Sequence, residues 1–335
     1  MTHFTKHLGA LAAGVALTAL AAGAALADPA VIYDLGGKFD KSFNESAFNG
    51  ATRWAQDNGK TFLEFELTAD AQREQALRRF ADQGSNPIVV MSFMWDAVLT
   101  AVAPEYPDTN FVVIDSVVDL PNVQSLMFDE HTGSFLVGAL AAMKSETGGV
   151  GFVGGMDVPL IHRFYCGYAY GAKAVNPDIK LQEAYTGTTP AAWNDPVTAG
   201  ELAKAQMDAG ADVVYAAAGG SGLGALQAMA DAGKYGIGVD ANQNYLHPGH
   251  VLTSMLKRVD NAVYKSFTEA GDDATFQPGR LDLGLAVEGV DYALDEYNAA
   301  LITDEMKAKV DELKAGIIAG TVEVHDYYTD NACKY

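Results

Sequence analysis

Short apolar runs alternate with longer stretches whose apolar residues return every three or four positions, from Ala30 almost to Val251. A run of four or five apolar residues closed by Gly or Asp reads as a strand covered on both faces. The longer periodic stretches read as amphipathic helices. The pattern predicts strands over 30–33, 61–67, 87–91, 110–115, 150–154, 179–185, 213–217 and 235–239. It predicts helices over 42–57, 71–83, 95–103, 133–144, 161–174, 196–209 and 222–232. Punctuation supports two helix starts: Ser42 with Glu45 reads as a capping box, and Asp195-Pro196 as an N-cap followed by proline at the first helical position. Strands and helices in alternation imply an α/β fold on parallel sheets.

The alternation restarts partway along. "VIYDLGGKFD" and the helix after it, with Phe48 and Gly50, have an echo in "VGFVGGMDVPLIHRFYCGYAYG", where Gly154-Gly155, Asp157, Phe164 and Gly167 take comparable places. Two doubly wound lobes would produce such an echo, although strand-Gly-helix junctions resemble one another in any fold of this class. The expected division gives the first lobe residues 28–145 with a returning segment at about 255–285. The second lobe takes 146–254 and the C-terminal segment from about 286 to 335. Beyond Val251 the pattern is less regular, as suits a chain crossing back between lobes. A ligand then belongs at the carboxyl ends of the strands, in the crevice between the lobes.

What precedes Asp28 bears on where the protein works. Residues 1–27 carry Lys6, an apolar core from about Leu8 to Leu20 and the small-residue end Ala25-Leu26-Ala27, and read as a signal peptide cleaved after Ala27. The competing reading, a membrane anchor, meets a run that is short and rich in Ala and Gly. No Cys stands at the cleavage site to take a lipid, so a freely diffusing periplasmic protein is expected. The formal charge of −21 becomes −22 once Lys6 leaves with the leader. Such acidity opposes binding to nucleic acid and to anionic membranes. An oxidising compartment permits Cys166 and Cys333 to pair, and their separation in sequence says nothing about their distance.

The candidate chemistry sits at predicted strand ends. After the first strand, Gly36 and Gly37 lead to a helix start at Ser42, a geometry that suits phosphate; Asp34 and Asp40 would repel it, and no phosphate-loop pattern is present. An ionised Asp only accepts hydrogen bonds, so an uncharged ligand bearing N–H or O–H donors fits better. Gly149 to Gly154 matches G-x-G-x-x-G but lies inside a predicted strand, which marks a chance match. His247-Pro248-Gly249-His250 reads as a turn; no metal site, cofactor site or catalytic constellation is recognisable. Trp193 precedes a capped helix in the second half as Phe43 does in the first, and two such aromatic faces could clamp a flat ring. Asp115 and Asp240 close strands, Gly219 opens a helix after one, and Lys257 stands among apolar residues, where a cation needs a partner.

At these residues the chain resembles the basic membrane protein family of ABC-transporter substrate-binding proteins, the PnrA-like purine nucleoside receptors. The similarity runs through "DLGGKFDKSFNESAFNG", "GSFLVGALAAM", "TGTTPAAWNDPVTAGELAKAQMDAGADVVYAAAGGSG", "GIGVDANQN" and "LTSMLKRVDNAVY". The resemblance implies a type I periplasmic-binding-protein fold with two doubly wound lobes, a multi-stranded hinge and closure on a ligand. It implies a monomeric receptor without catalysis, cofactor or metal, whose partners are a purine nucleoside or base and an inner-membrane ABC permease. Carried over, Phe43 and Trp193 form the base sandwich, Asp34 and Ser42 bind the base edge, and Asp115, Gly219, Asp240 and Lys257 contact the sugar. The family often has Phe where this chain has Trp193, which leaves ligand choice open to another heterocycle or a sugar. A sensory receptor would have the same pocket.

Overall fold

The sequences AVIY, IVVM and FVVI have no polar side chain to spare for water, and each forms a strand buried along its whole length. The structure is a computed structural model that describes Met1, residues 28–269 and residues 275–335; the expected leader lies outside the described residues. One sheet begins with β1 (Ala30–Tyr33), β2 (Leu63–Glu66), β3 (Ile88–Met91), β4 (Phe111–Ile114) and β5 (Val123–Phe128). A second contains β6 (Gly149–Met156), β7 (Lys180–Gly187), β8 (Val213–Ala217), β9 (Tyr235–Asp240) and β10 (Val251–Lys257). The chain then returns β11 (Gly279–Leu283) to the first sheet and ends its strands with β12 (Val290–Tyr292) on the second. The strand orders are β11-β5-β4-β3-β1-β2 and β12-β10-β9-β8-β6-β7. All pairings are parallel except β10 with β12.

Helices α1 (Phe43–Asn58), α2 (Arg73–Asp82), α3 (Asp96–Val102), α4 (Glu130–Lys144), α5 (Pro159–Val175), α6 (Pro196–Asp208), α7 (Gly222–Asp231), α8 (Val259–Glu269) and α9 (Asp304–Ile318) complete the layers. This is the doubly wound two-lobe α/β arrangement of type I periplasmic binding proteins. Among the described residues no helix is long and apolar enough to cross a membrane.

Several elements escaped the apolar pattern. Strand β5 reads VQSLMF, with two polar residues that would face water on an ordinary edge; here the Gln124 amide donates to the Gln277 carbonyl and Ser125 Oγ accepts from Val118 N–H. Helices α8 and α9 and strands β11 and β12 fall in the stretch that showed no clear alternation. The Asp195 cap at α6 is present, its carboxylate accepting from Thr198 N–H and Oγ1. The capping box at α1 is not: Ser42 makes no side-chain cap, and Asp40 takes the backbone N–H groups of Ser42, Asn44 and Glu45 instead.

Helix α4 alters the expected division. It is buried from Glu130 to Ala142, an all-round apolar helix that needs cover on every side, and it packs against α5, α9, β10 and β12. The chain therefore passes from the first sheet to the second lobe's layer at Asp129, ahead of the boundary expected after residue 145. The other passages follow Lys257 and β11. Backbone bonds from Asp129 N–H to the Leu283 carbonyl and from Arg258 N–H to the Gly289 carbonyl tie the three together.

Helices α4 and α5 approach through glycine. A Cβ on Gly138 would lie 2.0 Å from the Tyr168 carbonyl oxygen, and one on Gly171 would lie 1.9 Å from that of Phe135. Gly171→Ala must push the helices apart, and overpacking of this kind costs about 1–3 kcal/mol. A thermal melt should show a clear fall in Tm, whereas an unchanged Tm would mean that the helices separate freely.

Candidate ligand-binding cleft

The strand ends meet where the two sheets face each other. About 580 Å3 of space, part of it open to solvent, is lined there by Asp34, Phe43, Asp115, Trp193, Gly219, Asp240 and Lys257 among others. Seven of the eight residues singled out from the sequence are thus brought together. Ser42 is the exception. It is fully buried behind Asp240, and its Oγ donates to that carboxylate across the lobes. The hydroxyl that would have capped α1 or met a ligand is committed to closing the cleft. Gln243 Nε2 adds a second interlobe bond, to the Lys41 carbonyl at 3.0 Å.

The backbone at this rim is strained. Ser92, Asp115 and Asp240, which follow or end β3, β4 and β9, have φ of 107, 69 and 62°. Left-handed non-glycine residues cost about 1–3 kcal/mol each and gather at functional sites, where the surroundings hold them. Here they turn side chains from the strand ends into the cleft.

Trp193 ends a single helical turn, Pro190–Trp193. The loop is fixed by Ser221, whose hydroxyl donates to the Ala192 carbonyl at 2.7 Å and accepts from Asp195 N–H at 2.6 Å. The indole lies against β6 because Gly155 has no side chain; a Cβ there would stand 2.0 Å from Trp193 Cζ3. Phe43, at the first position of α1, supplies an aromatic face from the other lobe.

Lys257 ends β10 and is buried. Its Nζ lies 2.6 Å from Asp115 Oδ2 and 2.9 Å from Glu130 Oε1, and 5.1 Å from the centre of the Phe43 ring. Burial acts to lower its pKa, but Asp115, Glu130 and Asp240 outweigh it and hold the ammonium above its ordinary range. Burial pushes Asp115 up to about 7, against the pull of Lys257. Asp115 Oδ1 is left buried with no hydrogen-bond partner beside the cavity. Burial also raises Asp240, against Lys257 and the Ser42 hydroxyl. Acceptors outnumber donors at this wall, so it suits a ligand rich in hydroxyls.

Asp34 presents a different picture. Its Oδ1 accepts from Arg73 Nη2 at 2.6 Å, and the buried guanidinium sits 5.1 Å from the centre of the Trp95 ring. The sequence pattern gave no sign of Arg73, which lies on an ordinary amphipathic helix. Glu130, which pairs with Lys257, and Arg163, which pairs with Glu130, carry no signal either: each is one charged residue on a helix otherwise rich in apolar residues. Phe164, a further aromatic lining residue, did carry a signal: it stood in the internal echo beside Gly167.

Comparison with known proteins bears on what such a cleft belongs to. The family model described as ABC transporter substrate-binding protein PnrA-like matches residues 27–326. The chain belongs to this family. Among PnrA-like relatives, the ABC transporter nucleoside-binding protein BmpA of Lactococcus lactis subsp. cremoris is 33% identical, with 88% of each chain covered. Basic membrane protein A of Borreliella burgdorferi is 31% identical over 87% of this chain and 86% of its own. Among solved structures, an ABC transporter solute-binding protein from Aeropyrum pernix K1 superposes with a TM-score of 0.81 at 29% identity, covering 88% of this chain and 92% of that one. One from Conexibacter woesei gives 0.73 at 25%, covering 90% and 99%. The chain is thus a substrate-binding protein of an ABC transporter.

Asp40 offers a test of the cleft's electrostatics. Burial pushes its carboxyl up to about 7, three backbone N–H donors pull it down, and Asp240 adds to the rise. A raised carboxylate pKa stabilises the folded cleft fully below the ordinary value of 3.8, and that stabilisation is lost as pH climbs through 7. Tm should therefore fall between about pH 4 and pH 7. It should fall less in Asp40→Asn, which keeps an acceptor for the helix start and cannot ionise. Equal pH slopes in the two proteins would contradict this role.

Proposed function

We propose that this protein is a periplasmic receptor that captures a purine nucleoside or purine base and delivers it to an inner-membrane ABC permease. The observation that carries the reading is the placement of Phe43 and Trp193, from opposite lobes, on one cavity whose remaining wall is rich in acceptors. A purine offers a flat ring to such faces, and a ribose offers hydroxyl donors to Asp115 and Asp240 and an acceptor to Lys257. Asp34, oriented by Arg73, reads the edge of the base. Ser42 acts one step behind, by holding Asp240.

The nucleoside-binding relative from Lactococcus supports the ligand class. Relatives from Pyrococcus described as lipoproteins support a location outside the cytoplasm; the leader read in residues 1–27 supports a soluble form. Mechanism is a ligand-shifted equilibrium between open and closed lobes, with no covalent step. Stacking is worth about 1–3 kcal/mol per base face, before the cost of ordering the cleft.

The test is calorimetry of the mature protein against nucleosides, free bases, sugars and amino acids. Purine nucleosides or bases should bind most tightly and change tryptophan fluorescence. Phe43→Ala and Trp193→Ala should each weaken binding about tenfold to a hundredfold, as the stacking energy implies. Saturable heat with sugars or amino acids alone, or unchanged purine affinity in both variants, would overturn the reading. Asp240→Ala should weaken a nucleoside more than its free base; equal losses would remove Asp240 from the ribose.

A further inference from the structure

Arg163 of α5 is buried, and every nitrogen of its guanidinium is engaged. Nε and Nη2 fork onto the Asp326 carboxylate at 2.7 and 2.8 Å, and Nη2 also meets Asp129 at 3.3 Å. Nη1 donates to the Phe128 carbonyl and to Glu130 Oε2. Glu130, fully buried at the start of α4, thus divides its carboxylate, since its other oxygen faces Lys257 Nζ at 2.9 Å. One line of ion pairs runs from Asp326 through Arg163 and Glu130 to the ammonium on the cavity wall.

Asp326 lies outside the sheets and long helices. It caps the single turn Tyr327–Thr329 in the C-terminal tail. Tyr328 holds its ring 5.0 Å from the Arg163 guanidinium, and Tyr327 stacks on His162 at 5.2 Å. Cys333 is bonded to Cys166, three residues along α5 from Arg163 and so on a neighbouring part of the same helix face. The tail is laid along α5 and fastened beyond its contact with Arg163.

We infer that the disulfide-fastened tail is a positioning element for ligand binding: Asp326 orients Arg163, Arg163 orients Glu130, and Glu130 fixes the Lys257 ammonium against the cavity. The inference rests on the reading that Lys257 touches the ligand. Lysine is a flexible point charge with three donors. Asp115 holds it from the first lobe, and a second carboxylate, at 2.9 Å, is what fixes its direction. Glu130 can serve only if its own second oxygen is held, and the guanidinium that holds it is aligned by the bidentate Asp326 fork. Without that fork, Arg163 keeps Asp129, Glu130 and a carbonyl at poorer angles, and Glu130 is free to turn toward it and away from Lys257. Asp326, Arg163 and Glu130 do not line the cavity.

The experiment is a double-mutant cycle with inosine as the calorimetric probe. Asp326→Asn should weaken binding about tenfold, and Asp326→Glu should recover part of the loss. In a Lys257→Gln background the same Asp326→Asn change should have little effect, because the residue through which it acts is gone. Additive losses, or full affinity in Asp326→Asn, would overturn the inference. Cys166→Ser/Cys333→Ser should give a smaller loss with the same non-additivity, and full affinity there would remove the tether from it. A readout free of the ligand is amide hydrogen exchange of the ligand-free protein. Residues 128–132 should exchange faster in Asp326→Asn than in the parent, and unchanged protection would overturn the inference whatever the ligand is. If the parent binds no purine nucleoside, the proposed function fails, and the exchange measurement alone decides this one.

Discussion

One buried ammonium organises the interior between the lobes. Lys257 ends the last long strand of the second sheet where the chain turns back to the first, and a lone cation at that depth costs several kcal/mol unless it is paired. Its partners come from both sides: Asp115 from the end of β4, and Glu130 from the first turn of α4, just past the first passage between lobes. Two features that look unrelated along the chain meet at it. Asp115 has a left-handed backbone, and Arg163 is buried against the carboxylate that Lys257 shares. Breaking such a pair is far more harmful than never having built it, so each partner constrains the others.

The same demand shapes what the cleft accepts. Carboxylates outnumber cations along the wall facing the aromatic pair, and burial raises Asp40, Asp115 and Asp240. A ligand with several hydroxyl donors relieves that crowding, whereas a phosphate would add to it. The two lobes already touch through Ser42 with Asp240 and Lys41 with Gln243, so the arrangement described is a closed one. Lys257 with Asp115 adds a third polar bond between the lobes.

Most of the architecture was legible because strands buried on both faces need unbroken apolar runs, and α/β folds place function at strand ends. Asp34, Phe43, Asp115, Trp193, Gly219, Asp240 and Lys257 could be found by that rule with the family resemblance beside it. Their partners could not. Arg73, Glu130 and Arg163 sit on helices as ordinary charged residues, and only tertiary packing turns them inward. Ser42 misled because its spacing to Glu45 satisfies a local rule that a distant carboxylate, Asp240, overrides. The passage at Asp129 was hidden because an all-round apolar helix carries no mark of which lobe will cover it. Beyond Val251, polar residues such as Thr253, Ser254 and Asn298 are satisfied by long-range bonds, so the apolar pattern that marks strands elsewhere is broken there.

In the proposed function, a purine nucleoside draws the two lobes together around this cluster. Small-angle X-ray scattering of the mature protein, titrated with inosine, follows that closure. The radius of gyration should fall and saturate in step with the calorimetric binding curve, with the fall lost in Trp193→Ala at the same inosine concentration. Saturable binding with no change in the radius of gyration would contradict closure as the mechanism of capture.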